Sequence, residues 1–203
     1  QQRGLTMIAR ILIAGVIGGI VMFVWGAVTH LTLPSQTFGV NLLQNDQPVM
    51  DAMQQSIFEP GMYAFPGIAT GSESDPAALE LWTERSKAGP VGVIMYKPGG
   101  TTPMSPMQLG IELVTNILAA LLGAFIAQRI VKGFGRRFLI LTLLGPIAWL
   151  TVNASYWNWY HFPTDFTVAA LVDETLAWMV TAIAISIVLA WKTKPKPEAQ
   201  PAD

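Results

Sequence analysis

Four stretches of the chain are apolar enough and long enough to cross a lipid bilayer, and this feature constrains the fold most. They are residues 7–31, 106–131, 138–159 and 166–191. Each supplies roughly the 20 apolar positions that a hydrocarbon core about 30 Å thick requires. The sequence therefore predicts a membrane protein of the all-α class, built as a bundle of four transmembrane helices.

The composition agrees with this class. Hydrophobic residues make up 52% of the 203 residues and charged residues 12%, against about 25% charged in ordinary soluble domains. A net charge of −1 argues against a nucleic-acid partner, which requires a basic excess. The chain has no cysteine, which excludes disulfides, cysteine-ligated metals and thiol catalysis.

The basic residues predict the orientation in the membrane. Most of them lie at or before the start of span one, from the end of span two to the start of span three, or after span four: Arg3, Arg10, Arg129, Lys132, Arg136, Arg137, Lys192, Lys194 and Lys196. Only Arg85, Lys87 and Lys97 fall between spans one and two. Because lysine and arginine beside short loops stay in the cytoplasm, we expect both termini to be cytoplasmic and the long insert to be periplasmic.

The chain divides by pattern into four parts. Residues 1–31 form the cytoplasmic N-terminus and first helix, residues 32–105 the extracytoplasmic insert, and residues 106–191 helices two to four. Residues 192–203 are predicted to be a disordered cytoplasmic tail. The apolar run of span one is longer than the about 7–15 residues of a signal peptide, so we expect that span to be retained.

The insert is predicted to be a small α+β unit. Helical spacing favours one helix over 48–58 and a second from Asp75 to about residue 86. A β-rich run over 91–96, bounded by glycine and proline, predicts a strand that pairs with residues 62–65. A unit this small has little core of its own, so we expect it to rest on the helices or on a partner.

Small residues at four-residue spacing suggest where helices meet. Span one carries Gly15 and Gly19, and span two carries Ala119, Gly123 and Ala127. Small side chains at this spacing let helix backbones approach closely in lipid. These faces are candidate helix contacts.

Polar side chains at membrane depth are costly and are therefore candidates for a functional site. In this chain they gather in the predicted outer half. The polar cluster consists of His30, Glu112, Asn116, Asn153, Asp173 and Glu174. The candidate aromatic rim consists of Trp25, Trp157, Trp159, Tyr160, His161 and Trp178.

Several chemistries remain open for this cluster. Histidines with carboxylates suit zinc, iron or manganese. The ligands would be His30, Glu112 and either Asp173 or Glu174, with His161 at the mouth of the site, although no fixed ligand spacing is present. An ion path would need polar groups in the inner half, where only Gln128 and Ser186 stand out. A third hypothesis is a pocket for a lipid or quinone. A fourth is structural, in which the polar groups hydrogen-bond one another and set the helix register.

Sequence signatures of common enzymes are missing. The chain has no Walker loop, no GxGxxG opening a helix and no GxSxG turn. No helix carries two histidines that could hold haem. The sequence therefore predicts no catalytic residue and leaves any cofactor unknown.

Residues 25–30, 33–34, 59–63 and 156–163 resemble an uncharacterised family of small bacterial four-helix inner-membrane proteins. The resemblance covers most of the chain. It implies a bacterial inner-membrane location and no catalytic activity. The family has a glycine at the place of His161, and this departure weakens a ligand role for that residue.

The functional expectation is a non-enzymatic accessory, assembly or stabilising role within a larger membrane complex. Its partners would be membrane lipids and other membrane-protein subunits. The alternative is an outer-leaflet binding protein or enzyme, with a lipid, quinone or divalent-metal site formed by the polar residues of the four helices.

Overall fold

The computed structural model of the protein describes residues 2–130 and 132–191. The chain is 70% helical and contains one small two-stranded sheet. The elements, in chain order, are α1 (Gln2–Thr32), a 3-10 turn (Ser35–Phe38), α2 (Gln47–Ser56), β1 (Gly61–Phe65), α3 (Pro76–Ala88), β2 (Gly92–Tyr96), α4 (Pro106–Ile130), α5 (Phe134–Thr142), α6 (Leu144–Thr151), α7 (Asn153–Tyr160) and α8 (Thr164–Ala190). The predicted disordered tail, 192–203, lies outside the described residues.

Within the described part of the chain, four helical segments are long and apolar enough to cross a membrane. They are Met7–Thr32, Pro106–Ile130, Phe134–Tyr160 and Thr164–Ala190. The predicted four-span, mostly helical architecture is confirmed at the level of helix length and composition. α8 begins at Thr164, two residues before the predicted start of span four, with Asp165 in its first turn.

The third segment, Phe134–Tyr160, agrees with the span predicted over 138–159, and its helix is divided at Leu143 and Val152 into α5, α6 and α7. The first break, at Leu143, precedes Pro146, which cannot donate a hydrogen bond to the carbonyl four residues earlier. The second break, at Val152, follows Thr151, whose hydroxyl donates back to the carbonyl of Ala148 at 3.0 Å. Such bonds from threonine tend to bend helices.

The chain forms two compact units. Among the described residues, the first comprises 2–32, 106–130, 132–147 and 172–191, and the second comprises 33–105 and 148–171. The core of the first unit is built mainly from small side chains. Its fully buried apolar residues are Ala14, Ala120, Ala124, Ala127, Leu141, Ala182 and Ile185. Small residues let helices approach closely where lipid provides little hydrophobic driving force.

Glycines of α1 bring this helix against α4. A Cβ at Gly15 would lie 2.7 Å from the Cα of Leu121, and one at Gly19 would collide with the main chain of Ile117. The predicted contact face on α1 is therefore confirmed. On α4, Gly123 and Ala127 are buried as predicted, whereas Ala119 is only half-buried. The buried stripe on α4 is completed by Ala120 and Ala124.

The second unit contains the two-stranded sheet and helices α2 and α3. β1 and β2 pair antiparallel, with Met62 opposite Met95, so the predicted pairing is confirmed. The two predicted insert helices are also present, as α2 and α3, although neither buries a residue. The indole Nε1 of Trp82 on α3 donates to the carbonyl of Pro66 after β1 at 3.0 Å.

One close contact joins the insert to the start of α8 within this unit. Gly39 has a positive φ of 70°, and a Cβ there would collide with the main chain of Phe166. Glycine is suited to this position because it adopts left-handed backbone without a steric penalty.

Candidate functional site

The carboxylate of Asp173 is the centre of the polar site in the first unit. Its Oδ1 accepts a hydrogen bond from Nε1 of Trp25 at 3.2 Å. Its Oδ2 lies 3.5 Å from Nε2 of His30. Each carboxylate oxygen therefore faces a different side chain of α1. The carboxylate of Asp173, on α8, contacts Trp25 and His30, whose positions are about 7.5 Å apart along the axis of α1.

Thr29, between Trp25 and His30 on α1, makes its hydrogen bonds within the helix. Its hydroxyl donates to the carbonyls of Trp25 and Gly26, both at 3.2 Å, and the residue is buried. Back-bonding of this kind keeps a threonine compatible with apolar surroundings.

The chemistry of this site is that of a positioned carboxylate. The Asp173 side chain is 24% exposed and the His30 side chain 57% exposed. The indole N–H of Trp25 is a hydrogen-bond donor only and carries no charge, so its contribution is to orient the carboxylate. At 3.5 Å, the contact between Nε2 of His30 and Oδ2 of Asp173 is longer than a good hydrogen bond.

The other predicted polar residues occupy different places. Glu174, next to Asp173 on α8, is half-buried, and its carbonyl oxygen lies 2.6 Å from the Cβ position of Gly145. On α4, Glu112 is exposed and Asn116 is half-buried. Asn153 is half-buried and begins α7, in the second unit.

The three proposed metal ligands are therefore not gathered by the structure. Within residues 2–130 and 132–191, no three histidine, aspartate or glutamate side chains lie close enough together to hold a metal ion. His30 and Asp173 are in contact, and the third group at that carboxylate is the indole of Trp25. An indole N–H is a hydrogen-bond donor and not a metal ligand.

An aromatic cavity in the second unit forms a separate candidate site. Its volume is about 290 Å³, and it is lined by Gly92, Val93, Met95, Tyr160, His161, Phe162, Pro163 and Phe166. The lining is mainly apolar, with one phenol and one imidazole as polar groups. Ligand sites of typical size start at about 300 Å³, so this cavity suits a chain or ring rather than a large ligand.

The turn between α7 and α8 builds one wall of this cavity. α7 ends at Tyr160, and the next residue, His161, adopts the left-handed conformation with φ 59° and donates its backbone N–H to the carbonyl of Tyr156. Pro163 then precedes the start of α8. Nε1 of Trp157 donates to Oγ1 of Thr164 at 3.1 Å and so ties the two helices together across the turn.

Ring contacts give this wall its shape. The ring centroids of Tyr156 and Phe162 are 5.4 Å apart, and those of Phe162 and Phe166 are 5.5 Å apart, in tilted and edge-on arrangements. Tyr156 also contacts Tyr160, with centroids 5.6 Å apart. These separations are favourable for aromatic pairs, so the wall is a packed cluster and not a row of independent side chains.

The residues of the predicted aromatic rim are divided between these places. Tyr160 and His161 line the cavity, Trp157 holds the turn, and Trp159 is exposed. Trp25 belongs to the Asp173 site, and Trp178 packs against the core of the first unit.

Sequence reasoning missed the β2 residues Gly92, Val93 and Met95 of the cavity. The β-rich run over 91–96 indicated a strand, but no residue pattern linked that strand to the aromatic turn. Phe162 and Phe166, the other missed aromatics, could have been suspected because they follow the aromatic run of α7.

Compared with known proteins, the chain matches no family model, and no curated protein or solved structure is similar enough to suggest a function.

Proposed function

We propose that the protein is a non-enzymatic subunit of a larger membrane complex and that its insert contacts the partner subunit. In this proposal the four helices lie in a bacterial inner membrane, the insert faces the periplasm, and both termini are cytoplasmic. The distribution of basic residues along the sequence supports this orientation.

The observation that carries the proposal is the exposed apolar surface of the insert. Met62 and Met95 lie directly opposite each other on the sheet, and they are 53% and 71% exposed. Phe58, just before β1, is 75% exposed. Clustered exposed apolar side chains of this kind are typical of interaction sites. Helices α2 and α3 bury none of their residues, which agrees with a unit whose apolar surface is covered by a partner.

Charge further specifies the partner. Residues 32–105 contain seven acidic and three basic residues, a net charge of −4. A complementary surface would have an apolar centre, which covers Met62, Met95 and Phe58, and a basic rim. Complementary charge of this kind raises the association rate and selects the partner. The proposed partner is therefore another membrane protein with a basic, partly apolar extracytoplasmic face.

The test is affinity purification of the tagged protein from its native membrane in mild detergent, with the co-purifying proteins identified by mass spectrometry. We expect a stoichiometric partner with the wild-type chain and a loss of about tenfold or more with Met95→Asp, because a charge in an interface core is costly. Glu112→Gln, an exposed change outside the insert, is the control and should retain the partner. A wild-type protein that purifies alone, or a Met95→Asp variant that retains its partner, would contradict the proposal.

The aromatic cavity favours a second candidate function, the binding of an amphiphile such as a lipid or quinone. Its apolar wall and its two polar groups, from Tyr160 and His161, match the two ends of such a molecule. Native mass spectrometry of the purified protein should then detect a bound amphiphile, and Phe166→Ala should release it. The exposed Trp159→Ala is the matched control. Equal retention in both variants would dismiss this function.

A further inference from the structure

A short segment without charged side chains follows the first candidate span. Helix α1 ends at Thr32, and the 3-10 turn Ser35–Phe38 leads to Gly39. The backbone N–H of Val40 donates to the carbonyl of Ser35 at 3.2 Å and closes this turn. Residues 31–45 contain no aspartate, glutamate, lysine or arginine. The segment can therefore enter an apolar environment without bringing a charge into it.

Gly39 places this segment at the start of the fourth candidate span. The residue is buried, and a Cβ there would collide with the main chain of Phe166. Both residues belong to the second unit. The fourth candidate span runs over Thr164–Ala190, so Phe166 lies in its first turn. Gly39 is therefore in contact with the end of a span, where the acyl chains of a bilayer meet the headgroups.

The residues after Gly39 are apolar and highly exposed. Val40, Leu42 and Leu43 are 45%, 75% and 64% exposed, and Asn41 between them carries no charge. A chain extends by at most about 3.6 Å per residue, so Leu42 and Leu43 lie within about 14 Å of Gly39. These two leucines are therefore within reach of the membrane boundary.

Aromatic side chains occur at the neighbouring end of the third candidate span. That span ends at Tyr160, and Trp157 and Trp159 in its last turn are 48% and 73% exposed. Tryptophan and tyrosine concentrate at the interface between membrane and water. The turn between α7 and α8 thus has the composition expected at the level of the headgroups, the level that the contact of Gly39 with Phe166 gives to the exposed leucines.

We propose that residues 40–43 form a lipid-binding loop, which inserts Leu42 and Leu43 between the headgroups and the acyl chains at this end of the helices. Removal of their apolar surface from water is favourable, and the segment brings no ion into the bilayer. The contact of Gly39 with Phe166 favours lipid over a protein partner, because acyl chains adjoin exposed side chains at the end of a span. The inference holds for either orientation of the helices and does not depend on the partner proposed for Met62 and Met95.

Spin labelling of the full chain in phosphatidylcholine vesicles tests the loop, because the chain has no cysteine of its own. A nitroxide at Leu42→Cys reports its collisions with oxygen, which concentrates among acyl chains, and with a water-soluble nickel chelate supplied on both sides of the membrane. We expect the ratio of oxygen to nickel collisions to exceed that at Ser74→Cys, an exposed position of the insert, by at least about threefold. Leu43→Cys should give the same result. Val24→Cys, an exposed position within the first candidate span, is the reference for a side chain in lipid.

Two outcomes would overturn the proposal. A collision ratio at Leu42→Cys and Leu43→Cys equal to that at Ser74→Cys would place the loop in water. Protection of both leucine positions from both reagents would place the loop against protein, either a second copy or another part of this chain. In each case a lipid-exposed label at Val24→Cys would show that the helices are inserted and that only the loop inference fails.

Discussion

At the scale of single residues, Asp173 joins two helices through one carboxylate. Its two oxygens face Trp25 and His30, which are five positions apart on α1. Hydrogen bonds between helices in a membrane contribute about 0.6 kcal/mol on average. Removal of an acceptor costs more, since a half-buried donor is then left without its partner. The carboxylate is therefore more important as an acceptor than as a charge.

Because the Asp173 carboxylate acts mainly as a hydrogen-bond acceptor, two substitutions at this position should have different effects. Asp173→Ala should lower the free energy of unfolding by about 1–2 kcal/mol, because the Trp25 indole loses its acceptor. Asp173→Asn should cost less than about 1 kcal/mol, because the amide oxygen can still accept that bond. Denaturant unfolding in detergent micelles measures both. Glu112→Gln, a change at an exposed carboxylate, is the control, and equal losses for Asn and Ala would contradict the assigned role.

At the scale of elements, the position of α1 against α4 depends on the absence of side chains. Gly15 and Gly19 face the main chain of α4, whereas Gly26 on the same helix has no atom within 4 Å of its Cβ position. The three glycines are chemically identical in the sequence. Only Gly15 and Gly19 lie against a neighbouring backbone, so they should tolerate an added methyl group less well than Gly26 does.

Alanine substitutions should separate these glycines. Gly19→Ala should lower the free energy of unfolding by about 1–3 kcal/mol, because the added methyl group forces the helices apart. Gly26→Ala should be neutral or stabilising by up to about 1 kcal/mol, because alanine has the higher helix propensity. The same unfolding assay measures both changes. A Gly19→Ala variant as stable as Gly26→Ala would show that this close approach is not needed.

At the scale of the whole molecule, the proposed orientation determines which surfaces meet which compartment. The insert and the basic turn around Lys132 are expected on opposite sides of the membrane, because of the distribution of lysine and arginine. The partner proposed for the insert depends on this arrangement.

The cysteine-free chain allows a direct test of this orientation. We expect Ser74→Cys, an exposed position in the insert, to react with a membrane-impermeant maleimide in intact cells. Lys132→Cys, an exposed position in the turn before α5, should react only after the membrane is permeabilised. The wild-type chain is the blank. Equal labelling of the two variants in intact cells would place both segments on the same side and contradict the orientation.

Parts of the structure with local causes were predictable. The paired strands of the insert follow from a β-rich run between glycine and proline, and the start of α8 follows from the polar residues after Pro163. The two breaks in the third span were not predicted, although Pro146 is visible in the sequence. Apolar composition alone cannot reveal them, because it indicates that a segment is buried and not that its helix is continuous.

The sequence by itself determined the number of candidate membrane-spanning segments, the polar residues within them and the α+β class of the insert, because length, hydrophobicity and turn residues act locally. Only the tertiary structure decided that Asp173 contacts His30 and Trp25, that Glu112 is exposed, and that β2 lines the aromatic cavity. These facts depend on how helices rotate about their axes and on which distant segments meet. In an apolar helix, residue order restricts that rotation only weakly, and packing of the small residues selects it.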